Sequence, residues 1–119
     1  MGTNPKDSLH YKLIHFTQKY GLEFETEYFF AEGRSYRFDF YIPLLRLGIE
    51  YEGLNASKKQ NKGNSGKSRH TTKGGYTEDC RKYNLAIKLG YRLLRYTPIN
   101  SNELEEDLIY YLQNPPGKF

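Results

Sequence analysis

The sequence predicts one small α/β domain, a mixed sheet flanked by helices, in the order α-β-β-β-α-β-α. Three observations lead there. The hydrophobic period changes from about 3.6 to 2 at Gly21 and returns to helical spacing after Gly75. Gly21, Gly33, Pro43, Gly53, Gly90 and Pro98 punctuate the periodic runs. A chain of 119 residues has the length of a single domain and is too short for a cofactor domain plus a substrate domain.

The first helix is expected from Asp7 or Ser8, either of which can cap it, through Leu9, Leu13, Phe16 and Tyr20 to a stop at Gly21. From Leu22 to Phe30 the period is two, with Leu22, Phe24, Thr26, Tyr28 and Phe30 set against Glu23, Glu25, Glu27 and Phe29. Tyr36 to Ile42 alternates again and ends at Pro43, and Leu47 to Glu52 alternates and ends at Gly53, so the first three strands form a meander. A second helix runs from Thr77 to Leu89, with Glu78 and Asp79 in the first turn, where carboxylates suit the helix dipole, and Gly90 after it. The fourth strand spans Tyr91 to Tyr96. Asn100 and Glu103 have the spacing of a capping box for a last helix bearing Leu104, Leu108, Tyr111 and Leu112. The domain thus covers residues 1–113, and the tail 114–119, with two prolines, is expected to fray.

Twelve tyrosines and seven phenylalanines with no tryptophan predict a core rich in phenol rings. Cys80 is the only cysteine, which excludes an intrachain disulfide and any multi-cysteine zinc or iron-sulfur site. It is expected in the core, on a helical stripe with Tyr76, Tyr83 and Ile87. No apolar run approaches the roughly 18 residues of a membrane helix, and there is no signal-peptide core, so a soluble protein of a reducing compartment is expected, without a membrane partner.

Charge is unevenly placed. Lys58, Lys59, Lys62, Lys67, Arg69 and Lys73 lie between Gly53 and Gly75 with no acidic residue among them. The net charge of +4 therefore divides into +6 on this glycine-rich segment and -2 on the rest. Such a segment suits a polyanion such as DNA, with a solvated flexible linker as the competing reading.

Register arithmetic on the second hairpin carries the chemical signal. A four-residue loop from Pro43 to Arg46 sets Ile42 opposite Leu47, Phe40 opposite Ile49 and Phe38 opposite Tyr51, one continuous apolar face. The same register places Asp39 opposite Glu50, where like charges roughly 4.5 to 5.5 Å apart at their side-chain bases repel. Glu52 then falls opposite Arg37. A hard divalent cation would hold the two acids together, since Mg2+ binds through one or two carboxylates plus water and substrate phosphate. The alternative is a solvated strand face on which Arg37 neutralises Glu52.

The run Arg37-Phe38-Asp39-Phe40, then Ile49-Glu50-Tyr51-Glu52-Gly53, then Ser68-Arg69-His70-Thr71, then Asp79 to Asn84 and Gly90 to Arg95, resembles the small phage-type endonucleases of the PD-(D/E)XK nuclease superfamily. The resemblance spans about half the chain, from Arg37 to Thr97. It implies a PD-(D/E)XK-like core and a Mg2+-dependent or Mn2+-dependent endonuclease cutting DNA, in the cytoplasm of a bacterial or phage-infected cell. Carried over residue by residue, it implies metal ligation by Asp39, Glu50 and the backbone carbonyl of Tyr51. Two departures stand out: Glu52 occupies the usual lysine position, and the first helix has none of the glutamates that many relatives place there. Lys82 is the expected substitute, because the stripe it shares with Leu85 and Leu89 would bring it to the carboxylate end of the sheet if that stripe packs there.

The expected site is therefore Asp39, Glu50, Glu52, Lys82 and His70, with Glu52 accepting a proton or holding a second metal, Lys82 stabilising developing charge, and His70 near the scissile phosphate. Lys58, Lys59, Lys62, Lys67, Arg69 and Lys73 would contact the DNA backbone. Cutting both strands of a duplex generally needs two such sites, hence a homodimer. A DNA-binding module with this fold and no turnover is the alternative, suggested by Glu52, and a module that engages an acidic protein is a third reading.

Overall fold

A computed structural model describes residues 5–53 and 73–117. Helix α1 spans Pro5–Tyr20, strands β1 Glu25–Phe29, β2 Arg37–Ile42 and β3 Leu47–Tyr51 follow, then helix α2 Lys73–Lys88, strand β4 Arg92–Tyr96 and helix α3 Leu104–Gln113. This is the predicted order. The sheet runs β1-β2-β3-β4, antiparallel among the first three strands and parallel between β3 and β4, with α2 on the crossover between the parallel pair. Among the described residues no helix is long and apolar enough to cross a membrane.

Element ends differ from the sequence expectation for local reasons. Helix α1 opens at Pro5, earlier than the expected caps, because proline's missing N–H would have no helical partner at that position. That start puts Lys6 on the helix. The capping box before α3 does not form: Asn100 Oδ1 instead accepts from the Thr97 amide at 2.7 Å and the Thr97 hydroxyl at 3.2 Å, and a 3-10 turn, Ser101–Glu103, leads into the helix. Beyond α3, the Asn114 carbonyl accepts from Arg92 at 2.6 Å, so the tail is anchored where it begins.

The two faces of the sheet carry different cores. On one, Leu9, Leu13 and Phe16 of α1 and Leu104 and Leu108 of α3 pack on Phe40, Ile42, Leu47 and Ile49. On the other, Phe38 and Tyr41 pack with Phe30 and with Ala86 of α2, and Tyr28 and Tyr91 lie against them. Phe38 and Phe40 therefore fall on opposite faces, which corrects the single apolar face expected from strict alternation. The cause lies at the two residues between the paired positions: Thr26 pairs with Phe40 and Tyr28 with Phe38, but Glu27 adopts a left-handed backbone, φ 50°, and Asp39 is skipped in both ladders.

Gly48 allows this switch. A Cβ there would sit 2.6 Å from the Phe38 ring, which is fully buried and stacked on Phe30. Helix α2 presents Asp79 and Ala86 as its buried positions, with Lys82, Tyr83 and Leu85 partly covered. Tyr76, Ile87, Leu89 and Cys80 are exposed. The covered stripe is thus turned by about one residue from the Leu85 and Leu89 stripe, and Cys80, expected in the core, faces solvent. Gly90, φ 90°, ends the helix, and Arg46 donates to the Leu89 and Gly90 carbonyls at 2.9 and 3.1 Å, fastening the β2–β3 turn to the end of α2.

Candidate functional site

The β2–β3 ladder pairs Ile42 with Leu47, Tyr41 with Gly48 and Phe40 with Ile49, the predicted register, and then stops. Beyond it the strands are joined by carboxylates. The Asp39 amide donates to Glu50 Oε2 at 3.0 Å, and the Tyr51 amide donates to Asp39 Oδ2 at 2.8 Å. Each acid satisfies a backbone N–H left over where the ladder ends. Asp39 and Glu50 thus converge as expected, but through an opening between strands and not as a regular opposed pair.

Two lysines supply the positive charge. Lys82 Nζ lies 3.0 Å from Glu50 Oε1, and Lys6 Nζ lies 3.2 Å from Asp39 Oδ1. The first contact realises the placement expected of Lys82. The second was not legible, and it puts a cation from α1 at the acid pair. The Glu50–Lys82 pair is buried, with side-chain exposures of 8% and 14%, whereas Lys6 is 43% exposed. Burial pushes the Glu50 carboxyl up to about 7; nearby Asp39 adds to the rise, and Lys82 opposes it without cancelling it.

Glu52 departs from the expected pairing with Arg37. Its Oε2 accepts from the Tyr83 hydroxyl at 2.7 Å and from Arg95 Nε at 3.0 Å, and the Arg95 guanidinium lies 4.1 Å from the centre of the Tyr83 ring. Burial and this hydrogen bond raise the Tyr83 phenol above its usual range. Arg37 pairs with Glu27 instead. The physical reason is the kink at Glu27 and Asp39, which takes Arg37 out of the β2–β3 ladder.

Arg37, Asp39, Glu50, Glu52 and Lys82 line one polar cleft of about 300 Å³. Its walls hold five carboxylates, from Asp39, Glu50, Glu52, Glu78 and Asp79, against two cations, Arg37 and Lys82. Asp79 is buried there, and Glu78 accepts from the Tyr36 hydroxyl at 2.7 Å. Lys6, Arg95 and Arg81 reach Asp39, Glu52 and Glu78 from outside this lining, so these carboxylates are met by cations. Each of the four oxygens of Asp39 and Glu50 accepts one hydrogen bond, which leaves further lone pairs that could take a metal. Among the described residues no group of three or more His, Cys, Asp or Glu is gathered as a ready cation cage. A two-carboxylate Mg2+ site does not require one.

Lys58, Lys59, Lys62, Lys67, Arg69 and His70 lie outside the described residues, and Lys73 is the first residue of α2. Sequence reasoning missed Lys6, Glu27, Tyr83 and Arg95. None of these carried a signal in the periodicity, which set Tyr83 on the stripe opposite Lys82. Comparison of the chain with family models, curated proteins and solved structures gives no match.

Proposed function

We propose that the protein is a Mg2+-dependent or Mn2+-dependent DNA endonuclease with a PD-(D/E)XK-like core. The observation that carries this reading is the Glu50–Lys82 pair beside Asp39 where the ladder opens, in a cleft lined by carboxylates. A divalent cation held by Asp39, Glu50 and the Tyr51 carbonyl would supply the charge that draws a phosphodiester into that cleft and polarises it. Lys82, fixed on α2 next to Glu50, stabilises negative charge developing on the phosphate. Glu52 serves as proton acceptor or second cation ligand only by loosening Tyr83 and Arg95. The basic residues between Gly53 and Gly75 hold the DNA backbone, and His70 among them approaches the scissile phosphate. A homodimer would supply a second site for cutting the opposite strand.

A second reading, a DNA-binding module without turnover, is favoured by one observation: Lys6 and Lys82 already balance the charges of Asp39 and Glu50. Cleavage of duplex, single-stranded and branched DNA in Mg2+, Mn2+ or EDTA separates the two. Metal-dependent nicking supports the enzyme; salt-sensitive binding without nicking supports the module. Replacing Lys58, Lys59 and Lys62 with Ala should make the slope of log affinity against log salt shallower by up to about 3 if all three meet phosphates.

A further inference from the structure

The two lysines at the carboxylates are not equivalent. Lys82 is nearly enclosed, while Lys6 stands in the first turn of α1 with its side chain 43% exposed. Its ammonium lies between two acids, 3.2 Å from Asp39 Oδ1 and 3.9 Å from Glu27 Oε2. Glu27 sits level with Asp39 on the neighbouring strand, and its left-handed backbone is rare for a residue with a side chain. Arg37 holds its carboxylate in place.

We infer that Lys6 is a positioning residue that occupies Asp39 in the metal-free protein, and that Glu27 receives its ammonium when a divalent cation takes Asp39. The inference rests on the proposed metal site. An ammonium and a divalent ion on the same carboxylate repel each other; Lys82 is enclosed at Glu50 and stays, whereas Lys6 is exposed at Asp39 and can withdraw. Glu27 is the nearest alternative acceptor. Lys6 thereby sets the cation concentration at which the cleft loads, without being a ligand.

The test is calorimetric titration of the intact protein with Mn2+, which reads affinity and not cleavage. Lys6→Met should bind Mn2+ about three- to tenfold more tightly than wild type, since it removes the competing charge. Lys6→Gln should repeat the gain with a polar side chain. Glu27→Gln should weaken binding about threefold, and by less than about twofold in a Lys6→Met background, where no ammonium needs a destination. If wild type binds Mn2+ in an Asp39-dependent way and Lys6→Met binds no more tightly, the role of Lys6 is overturned while the metal site stands. Equal losses from Glu27→Gln in both backgrounds overturn the role of Glu27. If no variant binds Mn2+ at millimolar concentration, the metal site and this inference fall together.

Discussion

The two ends of the β2–β3 hairpin use the same strands and are held by different chemistry. At the turn end, backbone pairs backbone from Ile42–Leu47 to Phe40–Ile49, and Ile42, Leu47 and Ile49 are fully buried. At the open end, the Asp39 and Tyr51 amides are satisfied by carboxylates. Backbone donors are paired in both places. The difference is that the acceptors at the open end are carboxylates shared with lysines, so cohesion there depends on charge, whereas cohesion at the turn end depends on packing.

The sharpest way to break this comparison is to neutralise the open end. Asp39→Asn or Glu50→Gln should lower cleavage by about a hundredfold or more, with DNA affinity unchanged or higher, because each removes ligand charge and no phosphate contact. Plasmid nicking in Mg2+ alongside a binding titration checks this, and wild-type nicking by either variant would remove the assignment. Lys82→Ala should cost cleavage about ten- to a hundredfold and should also destabilise the fold, since Glu50 is left buried without its partner.

Gly48→Ala tests the turn end. The new methyl group would overlap the enclosed Phe38 ring, so a loss of about 1–3 kcal/mol is expected in denaturant unfolding.

A last effect is a pH dependence belonging to the open end. The Glu50 carboxyl stands near 7 in the folded protein, above its unfolded value of 4.5, so the folded state holds the proton more tightly. Its contribution to stability is complete below pH 4.5 and is lost as pH rises through 7. Denaturant unfolding at several pH values should show this decline in wild type and a flatter profile in Glu50→Gln. A wild-type profile as flat as the variant's would contradict the buried placement of Glu50.

The hairpin register was legible because loop length and apolar pairing agree on it; Lys82 reaches the carboxylates although the covered stripe of α2 is turned by about one residue from the Leu85 and Leu89 stripe expected to bring it there. The switch that sends Phe38 and Phe40 to opposite faces was not. It depends on a left-handed backbone at Glu27, a glutamate in an otherwise regular alternating run, where nothing local asks for one. Lys6 precedes the expected caps Asp7 and Ser8, and no period connects it with an acid 33 residues away. The partners of Glu52 come from α2 and β4, and choosing Tyr83 and Arg95 over Arg37 takes knowledge of where three elements meet. Cys80 was placed in the core as a small apolar residue, and a rotation of α2 by one position was enough to expose it.

The crossover from β3 to β4 divides the cleft between two stretches of chain. Asp39 and Glu50 precede residues 54–72, and Lys82, Tyr83 and Arg95 follow them. The stretches are also clasped without that covalent link, by parallel pairing from Leu47–Arg92 to Tyr51–Tyr96, by Arg92 on the Leu45 carbonyl and by Arg46 on the Leu89 and Gly90 carbonyls. In engineering terms the molecule is a two-part device. Expressed as separate fragments divided within residues 54–72, each half would carry an incomplete set of groups, and reassembly would restore the set only when the halves meet, the behaviour required of a split reporter.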